Sequence, residues 1–245
     1  MSQIPWLEAD SEFPPAHQAL ASPNGLLAAG GDLSPDRLIT AYKSGIFPWY
    51  EDGQPLLWWS PDPRAVLKPG GLNISRSLGK RLRRGEFQVF VDRDFESVIR
   101  ACSAPRSYES ETWITDEMQA AYCLLHEMGY AHSVECYQGN KLVGGLYGIG
   151  IGQWFFGESM FHLVTDASKV AFAHLAKFAF EQGCPLIDCQ IENEHLMTLG
   201  CELIPRAAFL DQLKALDMSA TIHWHSQALV YDWSSPLRAA SELTR

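Results

Sequence analysis

Three patterns in the sequence predict an α+β chain, with a small N-terminal α/β domain over residues 1–62 and a larger C-terminal domain over 63–245. An aromatic run at 56–69 is broken by Pro61 and Pro63, which cannot continue a central strand and so mark a boundary. Residues 133–156 read as short strands separated by tight turns, and from 166 onward a long apolar helix gives way to strand, short helix and strand.

Taken in order, residues 23–50 (PNGLLAAGGDLSPDRLITAYKSGIFPWY) turn at Gly30-Gly31. Ser34 as N-cap and Pro35 at the first helical position then start a helix that ends near Gly45. Residues 75–85 (SRSLGKRLRRG), wound as a helix, put Arg76, Lys80, Arg83 and Arg84 within an arc of about 100°, with Leu78 and Leu82 roughly opposite. Strands at 133–137 and 142–149 flank Gln138-Gly139-Asn140 as a hairpin, and 150–152 turn into a third strand at 153–156 to complete an antiparallel meander. Asp166 is expected to cap a helix running to Gln182. Val170, Phe172, Leu175, Phe178 and Phe180 require it to be buried on more than one side, and Gly183 stops it. After Pro185 come a strand at 186–191, a short helix capped by Asn193 and ended by Gly200, and a strand at 201–204. This order is similar to the core of acetyltransferase-like (GNAT) domains.

Composition narrows the function classes. No basic-then-apolar leader opens the chain, and the nearly uncharged stretch at 142–156 is too short and too glycine-rich to span a bilayer, so the expectation is a cytoplasmic protein with no membrane partner. The six cysteines keep no C-x-x-C spacing and read as buried thiols; only His223 and His225 stand close together among the histidines, so no metal is expected. The net charge of −10 argues against a nucleic-acid partner until its distribution is examined. Residues 64–106 hold ten Lys/Arg against four Asp/Glu, whereas 107–168 hold one Lys against eight acids. The first segment suits a polyanion and the second a cation.

Several residues could carry chemistry. The two-residue period of a strand places Asp188 and Gln190 on one face, with α-carbons about 6–7 Å apart, close enough for their side chains to hydrogen-bond; an exposed polar strand face is the alternative. Glu158, in FGESMF, is a carboxylate among Phe155, Phe156, Met160 and Phe161. It is either paired, turned into a cleft, or reaching out from a strand end. The basic helix offers a phosphate-backbone contact or simply a solvated face. Of eight tryptophans most belong in a core, but Trp49 and Trp113 sit at loop positions from which they could stack on unpaired bases, each worth roughly 1–3 kcal/mol. Residues 160–169, where a coenzyme A enzyme would hold pyrophosphate, contain neither glycine nor arginine, so coenzyme A is not expected.

PNGLLAAGGDLSPDRLITAYKSGIFPWY, LLWWSPDPRAVL, ETWIT, LVGGLYG, FGESMF, LIDCQ, Asn193 and Leu199-Gly200 occur in one order along about four fifths of the chain. In these the sequence resembles the leucyl/phenylalanyl-tRNA–protein transferases of the bacterial N-degron pathway. The resemblance implies a small N-terminal domain, a GNAT-like C-terminal domain and an active site between them. It implies transfer of Leu or Phe, less readily Met, from charged tRNA to proteins beginning with Arg or Lys, with neither metal, ATP nor coenzyme A; no other cofactor is expected, and the chain is expected to be a monomer. Position by position, Trp49 and Trp113 would hold the 3′-terminal adenosine and Glu158 the α-amino group of the esterified amino acid. Asp188 and Gln190 would orient the acceptor amine and help deprotonate it, Gln190 as a hydrogen-bond acceptor polarised by Asp188. Leu146, Phe155, Met160, Phe172, Leu175 and Ile187 would line the side-chain pocket, with Leu146 where some relatives have methionine, and Gly157 and Asn193 would be further substrate-binding positions. The basic residues Arg76, Lys80, Arg83 and Arg84 match in character alone. A peptidoglycan-type transferase using aminoacyl-tRNA and a non-catalytic tRNA-binding module are the rival readings.

Overall fold

Two sheets organise the computed structural model, which describes residues 4–104, 113–215 and 220–234. The first has the order β1-β2-β4-β3, from β1 (Trp6–Leu7), β2 (Leu26–Gly30), β3 (Phe47–Pro48) and β4 (Leu57–Trp59), with α1 (Pro35–Lys43) between β2 and β3. Pro35 opens α1 as expected, but the Ser34 hydroxyl does not cap it; the Ser34 N–H instead donates to Asp32 Oδ1 at 2.8 Å. Gly45, at φ 73°, takes the left-handed conformation that turns the chain into β3.

Past Pro61 and Pro63 the chain enters an eight-stranded sheet. Its elements are β5 (Arg64–Leu67), α2 (Arg76–Arg84), β6 (Gln88–Val91), α3 (Phe95–Ser103), α4 (Asp116–Glu127), β7 (Ala131–Gln138), β8 (Lys141–Ile151) and β9 (Trp154–His162). They continue with α5 (Ala167–Glu181), β10 (Ile187–Gln190), α6 (Glu194–Thr198), β11 (Glu202–Ile204), α7 (Arg206–Lys214) and β12 (Gln227–Ala228). The strand order is β11-β5-β10-β9-β8-β7-β6-β12, with the antiparallel meander β7-β8-β9 at its centre and β10 parallel to β9.

Each face of this sheet carries its own core. On one, Val170, Phe172 and Leu175 of α5 and Leu78 and Leu82 of α2 pack on Val134, Leu146, Phe155 and Ile187. The close fit of α5 depends on Gly144, where a Cβ would lie 2.5 Å from that of Ala167. Asp166 does not cap α5 with its side chain. It adopts a left-handed φ of 66°, and its carboxylate pairs with Arg81 of α2 at 2.9 Å. On the opposite face a single apolar cluster joins Tyr42 of α1 and Trp58 of β4 to Val98, Met118, Tyr122, Phe156 and Phe209, so the two sheets share a core. Among the described residues no helix is long and apolar enough to cross a membrane.

Two of the register shifts in this sheet shape the strands around Glu158 and Gln190. Tyr147 pairs with Ser159 and Gly148 with Gly157, which leaves Glu158 as the extra residue in β9. The third strand of the meander therefore runs through Glu158 to His162 rather than ending at Phe156. The extra residue also shifts the strand's phase. Phe155 and Met160, five apart, face α5, while Phe156 and Phe161 face the other core. In β10, Asp188 pairs with Val66 and Gln190 with Ala65, and Gln190 takes a φ of 62°.

Candidate active site

Elements distant in sequence converge on the β9 bulge. Glu158 Oε1 accepts hydrogen bonds from Tyr42 Oη of α1 at 2.8 Å and from Gln190 Nε2 of β10 at 2.7 Å, and Oε2 accepts from Tyr122 Oη of α4 at 3.1 Å. The two tyrosine hydroxyls also bond each other. Tyr42, Tyr122 and the two carboxylate oxygens thus make three oxygen–oxygen contacts, and two phenols bring only two hydrogens. Glu158 supplies the third when it is protonated, and then donates to one phenol rather than accepting from it. Burial pushes the Glu158 carboxyl up to about 8, against the pull of the Tyr42, Tyr122 and Gln190 hydrogen bonds and with further upward pressure from Asp188. The phenols of Tyr42 and Tyr122 are raised as well, first by burial and then by the charge of Glu158.

Asp188 and Gln190 do meet, but not side chain to side chain. The bulge breaks the strict alternation that predicted such a bond: the Gln190 backbone N–H donates to Asp188 Oδ1 at 2.9 Å, while its side-chain amide turns to Glu158. Asp188 is fully buried and forms a two-pronged ion pair with Arg64, Nε to Oδ1 at 2.8 Å and Nη2 to Oδ2 at 2.6 Å. Both of its oxygens are therefore occupied. Gln190 Oε1 accepts from no donor among the described residues, which leaves it able to take an incoming N–H.

The remaining expected residues fall into four groups. Trp49 is 40% exposed, 5.6 Å centroid to centroid from Trp59, and Trp113 is half-buried; the Tyr50–Thr115 hydroxyl bond at 3.1 Å draws their two segments together. Leu146, Phe155, Phe172, Leu175 and Ile187 are buried in the α5-side core, with Met160 packed against them and half-exposed. Gly157 borders the backbone of Asp188, and Asn193 caps α6 through its own Oδ1, which accepts from the His195 N–H at 2.8 Å. In α2, Ser75 caps the start and left-handed Gly85 the end. Leu78 and Leu82 face inward, and Arg76, Lys80, Arg83 and Arg84 are exposed. Of these four only Arg84 has an ion pair among the described residues, with Glu86 at 3.3 Å.

Sequence reasoning missed Tyr42, Tyr122 and Arg64. The two tyrosines look like core positions of amphipathic helices, and nothing local pairs Arg64 with a residue 124 positions away. It also missed Asp92, His126 and His132, whose ligand atoms lie within 4.8 Å of one another. Three of their four ring nitrogens are already engaged: His132 Nδ1 with Asp92, His132 Nε2 with the Gly129 carbonyl and His126 Nδ1 with the Ala131 carbonyl. A cleft of about 290 Å³ lies between the end of α2, β6 and residues 228–233, on the α5 side and away from Glu158.

Comparison with known proteins gives a consistent outcome. Residues 66–214 match the family model for leucyl/phenylalanyl-tRNA protein transferase, and residues 31–62 match the model for the N-terminal domain of that transferase. The leucyl/phenylalanyl-tRNA–protein transferase of Pseudomonas putida (strain W619) is 57% identical over 225 residues, covering 91% of this chain and 100% of that one. The enzyme of the same name from Nitrosospira multiformis is 57% identical over 213 residues, 87% of this chain and 92% of that one. Among solved structures, L-PGS from Bacillus licheniformis aligns with a TM-score of 0.38 at 12% identity, over 84% of this chain and 68% of that one.

Proposed function

This chain belongs to the leucyl/phenylalanyl-tRNA–protein transferase family and is an aminoacyltransferase that uses charged tRNA, and we propose that it moves Leu or Phe, less readily Met, onto proteins that begin with Arg or Lys, marking them for degradation. The observation that carries this reading is the convergence of Glu158, Gln190, Tyr42 and Tyr122 at two adjacent bulged strands. Glu158 holds the α-amino group of the esterified amino acid. Gln190 Oε1 accepts an N–H of the acceptor's α-amine and aligns its lone pair with the ester carbonyl. The amide bond forms as the ester C–O bond breaks, and the amine's surplus proton passes, directly or through water, to the departing ribose oxygen, so that the tRNA leaves with a free ribose hydroxyl. An aminoacyl ester is already activated, so alignment is the main requirement, and holding both reactants can contribute ~7–11 kcal/mol.

Around that centre, Trp49 and Trp113 stack on the terminal adenosine, and Leu146, Phe155, Met160, Phe172, Leu175 and Ile187 receive the apolar side chain. Arg76, Lys80, Arg83 and Arg84 follow the phosphate backbone. The order of meander, long helix and β10 supports reading the part from residue 63 onward as a GNAT-like domain, with residues 1–62 as a small domain that lends Tyr42. The protein works in the cytoplasm, where charged tRNA is made. The test mixes the purified chain with radiolabelled leucyl-tRNA and two peptides differing only in a first residue of Lys or Ser. Label on the Lys peptide alone is expected; tRNA binding without labelled peptide would leave a binding module.

A further inference from the structure

Arg64, the first residue of β5, is wholly buried. Besides its two bonds to Asp188, it donates Nη1 to the Gly45 carbonyl at 3.2 Å, and the Phe47 and Phe209 rings lie 4.9 and 4.6 Å from its Cζ. Its partners thus come from the turn after α1, from β3, from α7 and from β10. A guanidinium–carboxylate pair taken this far out of water contributes little net stability, because desolvation offsets most of the attraction. The arrangement around it points to another use. Asp188 Oδ1, held by Arg64, also accepts the Gln190 N–H, and Gln190 stands at a φ that side chains other than glycine seldom adopt. In that backbone setting the Gln190 amide donates to Glu158 at 2.7 Å.

We propose that Arg64 is a positioning residue for the transfer: by locking Asp188 it fixes the left-handed Gln190 and so aims the Gln190 amide at Glu158 and at the incoming amine. Asp188, fully buried and clamped by Arg64, then acts on the amine only through Gln190. The inference rests on the reading of Glu158 and Gln190 as the place where amine and ester meet.

The experiment measures steady-state transfer from leucyl-tRNA to a Lys-first peptide, with melting temperature, for the full chain and two variants. The double variant Arg64→Met with Asp188→Leu removes both charges together and leaves no unpaired charge, only the Gly45 carbonyl and the Gln190 N–H without their partners, so it should stay folded with a modestly lower melting temperature. Its kcat should nonetheless fall about 100-fold, with KM for leucyl-tRNA kept within about threefold, the pattern of a misaimed group. Arg64→Lys keeps the charge but not the fork, and should lose about tenfold in kcat with KM unchanged. A folded double variant or a folded Arg64→Lys with the parent's kcat would overturn the proposal, as would a loss confined to KM. If neither variant folds, the pair is a stability element and the proposal falls. A parent chain that labels no peptide refutes the reading of the site itself; a parent that transfers alongside unaffected variants refutes only the role of Arg64.

Discussion

Glu158 and Glu135 make an instructive pair. They stand on β9 and β7, on either side of β8, and both face the core built by α1, α3 and α4. Burial raises both carboxyls, Glu158 to about 8 and Glu135 to about 7. What differs is the donors. Glu135 Oε1 accepts from the Ser133 hydroxyl at 2.6 Å and from the backbone N–H groups of Arg93 and Asp94 at 3.1 and 3.2 Å, in the turn that starts α3. Those amides cannot leave without unwinding the turn, and Glu135 is closed to solvent. Glu158 is served by three side chains from three elements and is partly exposed. A raised pKa therefore does not by itself mark a reaction centre; donors that can be exchanged for a ligand do.

The sharpest way to break this contrast is to make both carboxyls amides. Glu158→Gln keeps the shape but can no longer become an anion beneath a cationic amine, and loss of one charge-assisted hydrogen bond should lower kcat/KM for leucyl-tRNA by about 10- to 100-fold. Glu135→Gln should leave transfer rates within about twofold, since its site is closed. Equal losses in the two variants would erase the distinction.

A smaller effect sharpens it. Below about 8, Glu158 is neutral and must lose a proton to pair with an α-ammonium group, so kcat/KM for leucyl-tRNA should rise with pH toward 8. Tyr122→Phe deletes a donor that favours the anion. The rising limb should move to higher pH while the titration of the acceptor peptide's own amine, ordinarily about 7.7–8.0, stays in place. A profile unchanged by Tyr122→Phe would mean that the limb belongs to the substrates.

Much of this was legible in the sequence, for identifiable reasons. The meander, α5 and α2 announce themselves through tight turns, apolar periodicity and caps, and Glu158 stands out as a carboxylate among phenylalanines. The bulges left no such trace. One extra residue in a strand re-aims Glu158 and Gln190 without any change in composition, so period-two reading put the Asp188–Gln190 bond in the wrong atoms. Strands as short as β1 and β3 carry no alternation to read, and the Arg64–Asp188 pair and the tyrosine cluster exist only once distant elements have docked.

The smallest effect concerns stability alone. Glu135 has a folded-state pKa of about 7 against an ordinary 4.5, so between those values the unfolded chain has released a proton that the folded chain retains. Its contribution is fully present below about pH 4.5 and is lost as pH rises through about 7, so this group makes the fold weaker with rising pH. Glu135→Gln stays neutral at every pH, and its amide oxygen can accept from Ser133, Arg93 and Asp94 as the carboxyl does. The fall in melting temperature between about pH 5 and about pH 8 should accordingly be smaller in Glu135→Gln than in the parent, with transfer activity preserved. An unchanged fall would mean that Glu135 is ionised in the fold throughout that range, held by the two α3 amides as a permanent anion, and the two carboxylates would then differ in charge as well as in use.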